Sequence, residues 1–269
     1  MSSLIKPHRI EPGHRADLAG RSSREDGGMA KGDGKKQVRK LIKRLDALQE
    51  LMYAESKHSL LVVFQAMDAG GKDSTIRNVL GPLNPQGVRV ASFKQPSTLE
   101  RAHDFLWRIH QQCPGRGHIG VFNRSHYEDV LVVRVRNLVE PAVWKRRFEH
   151  INAFEKMLTD EGTVIVKFFL HISRSYQRKR LQRRLDRPDK HWKFDPSDLA
   201  ERAHWEAYQQ AFEEALTRCS TPWAPWYVVP AERRWYRNLV VAKVLADTLE
   251  SLNMQYPEPK VDTATIQID

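Results

Sequence analysis

The chain has 269 residues, 44 of them lysine or arginine against 33 aspartate or glutamate, which gives a formal charge of +11. That length suits one large α/β domain with a sizeable core, and the cation excess points to polyanionic partners: nucleic acid, an anionic membrane or polyphosphate. Two cysteines, Cys113 and Cys219, exclude a disulfide scaffold, and there is no C-x-x-C pair for a redox or zinc site. No apolar run approaches the ~18 residues of a membrane span, and MSSLIKPHRIEPG lacks an apolar signal core, so a soluble, cytoplasmic protein is expected.

Residues 1–34 are rich in Gly, Ser, Arg and Asp with few large apolar side chains, which predicts a mobile or loosely draped arm without chemistry. From Lys35, the residues Val38, Leu41, Ile42, Leu45, Leu48 and Met52 fall at three- and four-residue steps and predict an amphipathic helix. Leu60 to Phe64 is long and β-branched enough for a buried strand, and Ser74 to Leu80 carries helical spacing. Between them, Ala69, Gly70 and Gly71 form a tight turn whose N–H groups, with those of Asp73 and Ser74 at the helix start, can converge on phosphate oxygens. Lys72 adds a mobile positive charge. The stretch AMDAGGKDS is a degenerate phosphate loop: Ala66 replaces the first glycine of G-x-x-x-x-G-K-[ST], and Asp73 displaces the hydroxyl residue. Asp68, inside the loop, can hold Mg²⁺ against phosphates or orient an attacking oxygen; the bland alternative is a turn or capping residue.

Val88 to Phe93 is the second predicted strand, followed by Lys94 at the strand's carboxyl end, and Thr98 to Gln112 is expected to be helical. Ile119 to Phe122 is a third strand running into the polar cluster Asn123-Arg124-Ser125-His126-Tyr127-Glu128-Asp129. A helix from Ala142 to Leu158, a strand from Thr163 to Leu170 and a basic helix RSYQRKRLQRRLDR capped by Ser173 come next. A helix from Asp195-Pro196-Ser197 to about Cys219, a strand from Tyr227 to Val229 and a helix from Ala231 to about Leu252 complete the order, before a polar tail at 256–269. Five strands alternating with helices predict an α/β three-layer sandwich with a five-stranded parallel sheet.

Phosphoryl transfer needs a phosphate cradle, a metal and converging cations. Asp68, Glu128 and Asp129 are the candidate metal carboxylates and Arg124 the associated cation, with a structural salt-bridge network as the alternative reading. Arg180 and Arg184 lie one turn apart on the basic helix, where like charges repel until an anion binds; this is the signature of a lid, or else of a merely solvated face. Arg77, Lys94 and Arg134 are further candidates for gripping a phosphate chain.

The segments FQAMDAGGKDSTI, NPQG, SFKQPS, HDFLWR, FNRSHYEDVLVVRV and RPDKHWKF resemble the polyphosphate kinase type 2 family from about Lys35 to Leu252. The resemblance implies a phosphate-loop kinase domain over residues 35–255, with a helical lid at about 174–196, acting on inorganic polyphosphate and nucleotides with Mg²⁺ or Mn²⁺. It implies a homodimer or homotetramer, and it makes Asp68 and Lys72 the loop acid and lysine, Arg124 the arginine after the third strand, and Arg180 and Arg184 lid positions. Asn123 stands where many members have aspartate. With Glu128 and Asp129 it resembles the branch that phosphorylates both AMP and ADP, giving ADP and ATP, with guanine nucleotides as further candidate acceptors. Asn123 thereby leaves the family's role at that position to be shared with Glu128 and Asp129. Two rivals stand beside this reading: an ATP-dependent phosphate-loop kinase, and a basic nucleic-acid-binding protein.

Overall fold

The computed structural model describes residues 3–261, 263 and 266–268. Residues 1 and 2 of the expected arm, and 262, 264, 265 and 269 of the expected tail, lie outside the described residues. Five strands, β1 (Ser59–Gln65), β2 (Val88–Ser92), β3 (Ile119–Asn123), β4 (Thr163–His171) and β5 (Trp226–Pro230), form one parallel sheet in the order β2-β3-β1-β4-β5. The helices are α1 (Lys31–Glu55), α2 (Lys72–Val79), α3 (Thr98–Arg101), α4 (Trp107–His110), α5 (Glu128–Val135), α6 (Pro141–Asp160), α7 (Arg174–Asp186), α8 (Ser197–Ala203), α9 (Trp205–Cys219) and α10 (Arg234–Glu250).

The sheet forms around β1 because Leu60, Leu61, Val62, Val63 and Phe64 are each 0% exposed, apolar toward both faces, as a strand sandwiched between helix layers must be. Each such side chain contributes about 1.5–3 kcal/mol by leaving water. β1 pairs with β3 on one side and β4 on the other, so its carboxyl end opens between the loops that follow three strands. That crevice is where open parallel sheets bind ligands.

Three sequence expectations change. The helix expected over 98–112 is two short pieces, because the Asp104 carboxylate accepts the Leu106 N–H (2.9 Å) and competes with helical bonding. The long helix expected to reach Cys219 breaks at His204 (φ −90°, ψ 20°). α8 has no buried residue, whereas α9 buries Trp205, Tyr208, Ala211, Phe212, Ala215, Leu216 and Cys219, so the bend turns only the second half toward the core.

The arm is the third. Ile5, Ile10, Ala16 and Leu18 are buried, Arg9 forms an antiparallel bridge with Tyr227, and the Ile10 N–H donates to the Trp226 carbonyl (2.9 Å). The N–H groups of Asp17 and Leu18 donate to the Glu213 carboxylate. Residues 3–30 therefore strap the β5 edge of the domain, held by single apolar side chains that carry no periodicity for a sequence reading to detect. The strap leads directly into α1, which starts at Lys31 rather than Lys35 and packs along α10.

Candidate active site

The loop between β1 and α2 turns through two left-handed residues, Ala69 (φ 61°) and Gly71 (φ 103°). A Cβ on Gly70 would lie 2.6 Å from the Ala66 Cβ and 2.7 Å from the Met67 carbonyl oxygen, so the turn closes only with glycine there. The Gly71 carbonyl accepts the hydroxyls of Ser74 (3.0 Å) and Thr75 (2.9 Å), fixing the loop to the first turn of α2. The resulting string of backbone N–H groups ahead of a helix N-terminus is a concave anion cradle.

Lys72 reaches back over this loop and donates to the Ala66 carbonyl (3.2 Å). Burial pushes its ammonium pKa down and Arg124 adds to that, while Asp68, Glu128 and Asp73 oppose it. Arg124 follows β3 in a left-handed conformation (φ 63°), its N–H donating to the Phe64 carbonyl (3.1 Å) and its guanidinium to Asp68 (3.0 Å). Such backbone strain on a non-glycine residue is concentrated at functional sites. Glu128 opens α5, and its carboxyl pKa is raised by burial against the pull of Arg124 and Lys72. Asp68, Lys72, Arg124 and Glu128 thus form one interacting group of two carboxylates and two cations. Asn123 joins its rim, donating from Nδ2 to Asp73 (2.9 Å).

Other expected residues lie elsewhere. Asp129 turns to Arg147 (3.2 Å) and Arg108 (4.0 Å), so it does not share a metal-facing side with Glu128; one residue is about 100° around a helix from the next. Burial raises its pKa to about 6 against those two guanidiniums. Arg134 is tied to Glu214 (2.6 Å) with its guanidinium over Trp144, which makes it a brace between α5 and its neighbours. Arg184 pairs with Asp198 (2.5 Å) and donates to the Lys193 carbonyl (3.1 Å), joining the end of α7 to the start of α8, so the expected free Arg180–Arg184 face is reduced to Arg180. Arg77 and Lys94 are exposed, at the last turn of α2 and just beyond β2. Ser74 is exposed only in part and accepts from Arg237 (3.1 Å).

The structure also brings residues to the loop that sequence reading did not select. Gln177, on α7 and 1% exposed, donates to the Asp68 carbonyl (3.0 Å) and accepts from Arg202 (2.9 Å), tying the basic helix to the loop. Asp198 has its carboxyl pKa raised by burial and by Asp68, and Tyr208 has its phenol raised by burial and by Glu201, Glu128 and Asp68. None belongs to a local motif, so only the positive clustering on α7 hinted at this side of the site.

A parallel five-stranded sheet with a glycine loop, a loop lysine and a basic helix beside them defines a phosphate-loop phosphotransferase. The family model described as "Polyphosphate kinase 2 (PPK2)" matches residues 28–257. This chain belongs to the polyphosphate kinase 2 family. It is 53% identical over 268 residues to the AMP/ADP-polyphosphate phosphotransferase of Meiothermus ruber, covering 98% of this chain and all of that one. It is 49% identical over 233 residues to the ADP-polyphosphate phosphotransferase of Rhodopseudomonas palustris, covering 82% and 81% of the two chains. The crystal structure of polyphosphate kinase 2 from Arthrobacter aurescens TC1 superposes with a TM-score of 0.94 at 43% identity, covering 98% of this chain and 94% of that one.

Proposed function

We propose that the protein transfers a phosphoryl group from inorganic polyphosphate to AMP and to ADP, making ADP and ATP in the cytoplasm as a homodimer or homotetramer. The observation that carries this is the Asp68–Lys72–Arg124–Glu128 group set against an anion cradle, beneath a basic helix. Among the described residues no helix is long and apolar enough to cross a membrane.

The donor's terminal phosphate would seat on the N–H groups of Ala69, Gly70, Gly71, Asp73 and Ser74, with Lys72 on its oxygens. Lys72 is already penalised as a free cation by burial, so an incoming phosphate relieves that cost. Arg124 would release part of its hold on Asp68 to neutralise the transferred group, and Arg180 would close over it from the lid. The accepting oxygen belongs to a nucleotide phosphate largely ionised near neutral pH, so positioning and charge neutralisation carry the step with little base catalysis. Asn123 would keep Asp73 turned aside from the acceptor, and Arg77 and Lys94 would steer the polyanion inward by charge.

Among the described residues no three His, Cys, Asp or Glu side chains converge as a metal site. Asp68 and Glu128 provide two carboxylates, which suits Mg²⁺, an ion that is usually held by one or two carboxylates plus phosphates and water. Bound there, Mg²⁺, or Mn²⁺ in its place, would neutralise and orient the phosphate oxygens.

The deciding assay is pure protein with Mg²⁺, polyphosphate and either AMP or ADP, without ATP. New ADP and ATP are expected, with guanine nucleotides tried in parallel. Failure to transfer from polyphosphate, with transfer from ATP instead, would favour an ATP-dependent kinase. Tight salt-sensitive binding to duplex DNA without transfer would favour the nucleic-acid reading.

A further inference from the structure

The phosphate loop has a second cationic flank, and it differs in kind from the first. On the β3 side, Lys72 and Arg124 are interleaved with Asp68, Asp73 and Glu128. On the β5 side stand Arg180 of α7 and Arg234 and Arg237 of α10; other arginines act on Arg180 and Arg237 to disfavour their charge, and the Tyr176 phenol opposes them. Arg237 is 2% exposed, yet among the described residues no carboxylate pairs with it: Nη2 donates to Ser74 (3.1 Å) and to the Asn238 side-chain oxygen (3.0 Å), and Nη1 fills the space where a side chain on Gly71 would project. Burial pushes its guanidinium down to about 10, with Arg234 and Arg180 adding to the effect. Arg234, three residues earlier on the first turn of α10, is exposed.

A buried guanidinium without a counter-ion, in mutual repulsion with two others beside an anion cradle, is stabilised when a polyanion arrives. Carboxylates would repel that chain, and those on the β5 flank are engaged elsewhere, Glu232 by Ser173 and Ser23 and Asp26 by Arg233. We propose that Arg234, with Arg180 across from it, grips the donor polyphosphate beyond the group being transferred, and that Arg237 acts beneath them as a positioning residue, holding the Gly71–Ser74 edge of the loop. This rests on the polyphosphate phosphotransferase reading. The chain then enters over α10, and the nucleotide acceptor and metal occupy the carboxylate-bearing side.

The test compares donors of different length in Arg234→Gln, which alters an exposed position. With long-chain polyphosphate, KM for the donor should rise about tenfold, as for loss of one charge-assisted contact, with kcat and the nucleotide KM nearly unchanged. With tripolyphosphate, which ends near the loop, the donor KM should stay at the wild-type value. Arg237→Gln should raise KM for both donors and flatten the dependence of long-chain binding on salt, while Arg237→Lys restores the salt dependence but only part of the affinity. Equal effects of Arg234→Gln on both donors, no effect on either, or a change confined to the nucleotide KM would each overturn the proposal. If the wild type fails to transfer from polyphosphate, the functional reading falls. Calorimetric binding of long-chain polyphosphate alone then still decides the subsite: weaker binding by Arg234→Gln supports it and equal binding removes it.

Discussion

Glu232 and Ser173 are joined at the base of the basic helix α7: Glu232 Oε1 accepts the Ser173 N–H at 3.1 Å while also accepting the Ser23 hydroxyl at 2.7 Å. Ser173 caps α7, its hydroxyl accepting the Tyr176 N–H (3.1 Å), and the Glu232 N–H donates to the Ser23 carbonyl (3.2 Å). One carboxylate therefore couples the N-terminal strap to the hinge of the basic helix. Glu232→Ala should leave that hinge N–H unpaired at a cost of about 1–3 kcal/mol. Hydrogen exchange over residues 173–178 should speed up markedly while α2 is unchanged; unchanged exchange at the hinge would mean that the strap is only a surface cover.

Lys72→Ala should lower turnover by at least about a thousandfold, since it removes the charge proposed to neutralise the transferred group. Among the described residues Lys72 donates only to the Ala66 carbonyl, so the fold should survive with a Tm within a few degrees of wild type. Asp68→Asn should also cut activity severely and weaken the Mg²⁺ dependence. It breaks an ion pair with Arg124 that is partly exposed on both sides, and its stability cost should stay below about 1 kcal/mol. Activity titrated against Mg²⁺ in both variants is the check.

Acceptor choice should depend on Glu128, the carboxylate that faces Lys72 and Arg124, and not on Asp129, which faces Arg147 and Arg108. Reaching AMP's shorter phosphate demands more of the Glu128 side of the site, so Glu128→Gln should lower kcat/KM for AMP about tenfold more than for ADP. Equal losses for the two acceptors would remove this account of selectivity and leave the phosphotransferase assignment standing.

Behind the site lies a fully buried ion pair. Lys167 of β4 donates to Glu155 of α6 (2.5 Å), to the Tyr127 hydroxyl (2.8 Å) and to the Cys219 carbonyl (2.7 Å), so all three of its protons are used. Burial raises the Glu155 carboxyl, but Lys167 and His126 outweigh it and hold its pKa below the ordinary value. Lys167→Met should cost about 3–5 kcal/mol by stranding Glu155, and adding Glu155→Gln should recover part of that loss. Urea denaturation of the two single variants and the double variant measures the coupling.

The strap carries a pH dependence through His8, 2% exposed and hydrogen-bonded to the Tyr236 hydroxyl (3.1 Å). Burial, aided by Arg21, lowers its pKa from 6.5 to about 4. The folded state therefore binds fewer protons than the unfolded state between these values, and stability present above pH 6.5 is lost as pH falls toward 4, by up to about 3 kcal/mol. His8→Gln should flatten the Tm–pH curve in that window relative to wild type; parallel curves would exclude His8 as the source.

Local chemistry determined a large part of this protein. Leu60 to Phe64, the glycine turn and Lys72 announce strand, cradle and cation within a few consecutive residues, because burial on both faces and left-handed turn geometry are written in adjacent side chains. The alternation of apolar runs and helical stripes was enough for a five-stranded parallel sheet, and the motif segments were enough for the family. Tertiary structure decided what each charged residue faces. Glu128 and Asp129 are neighbours in sequence but point to different partners, and Arg180 and Arg184 share a helix while only Arg184 meets a carboxylate. Arg237 comes to the loop from α10, and Ile10 comes to β5 from the arm, through contacts between distant parts of the chain. Periodicity reports the face a residue occupies on its own element, whereas the identity of its partner depends on how elements pack, and that is fixed only once the whole core has closed.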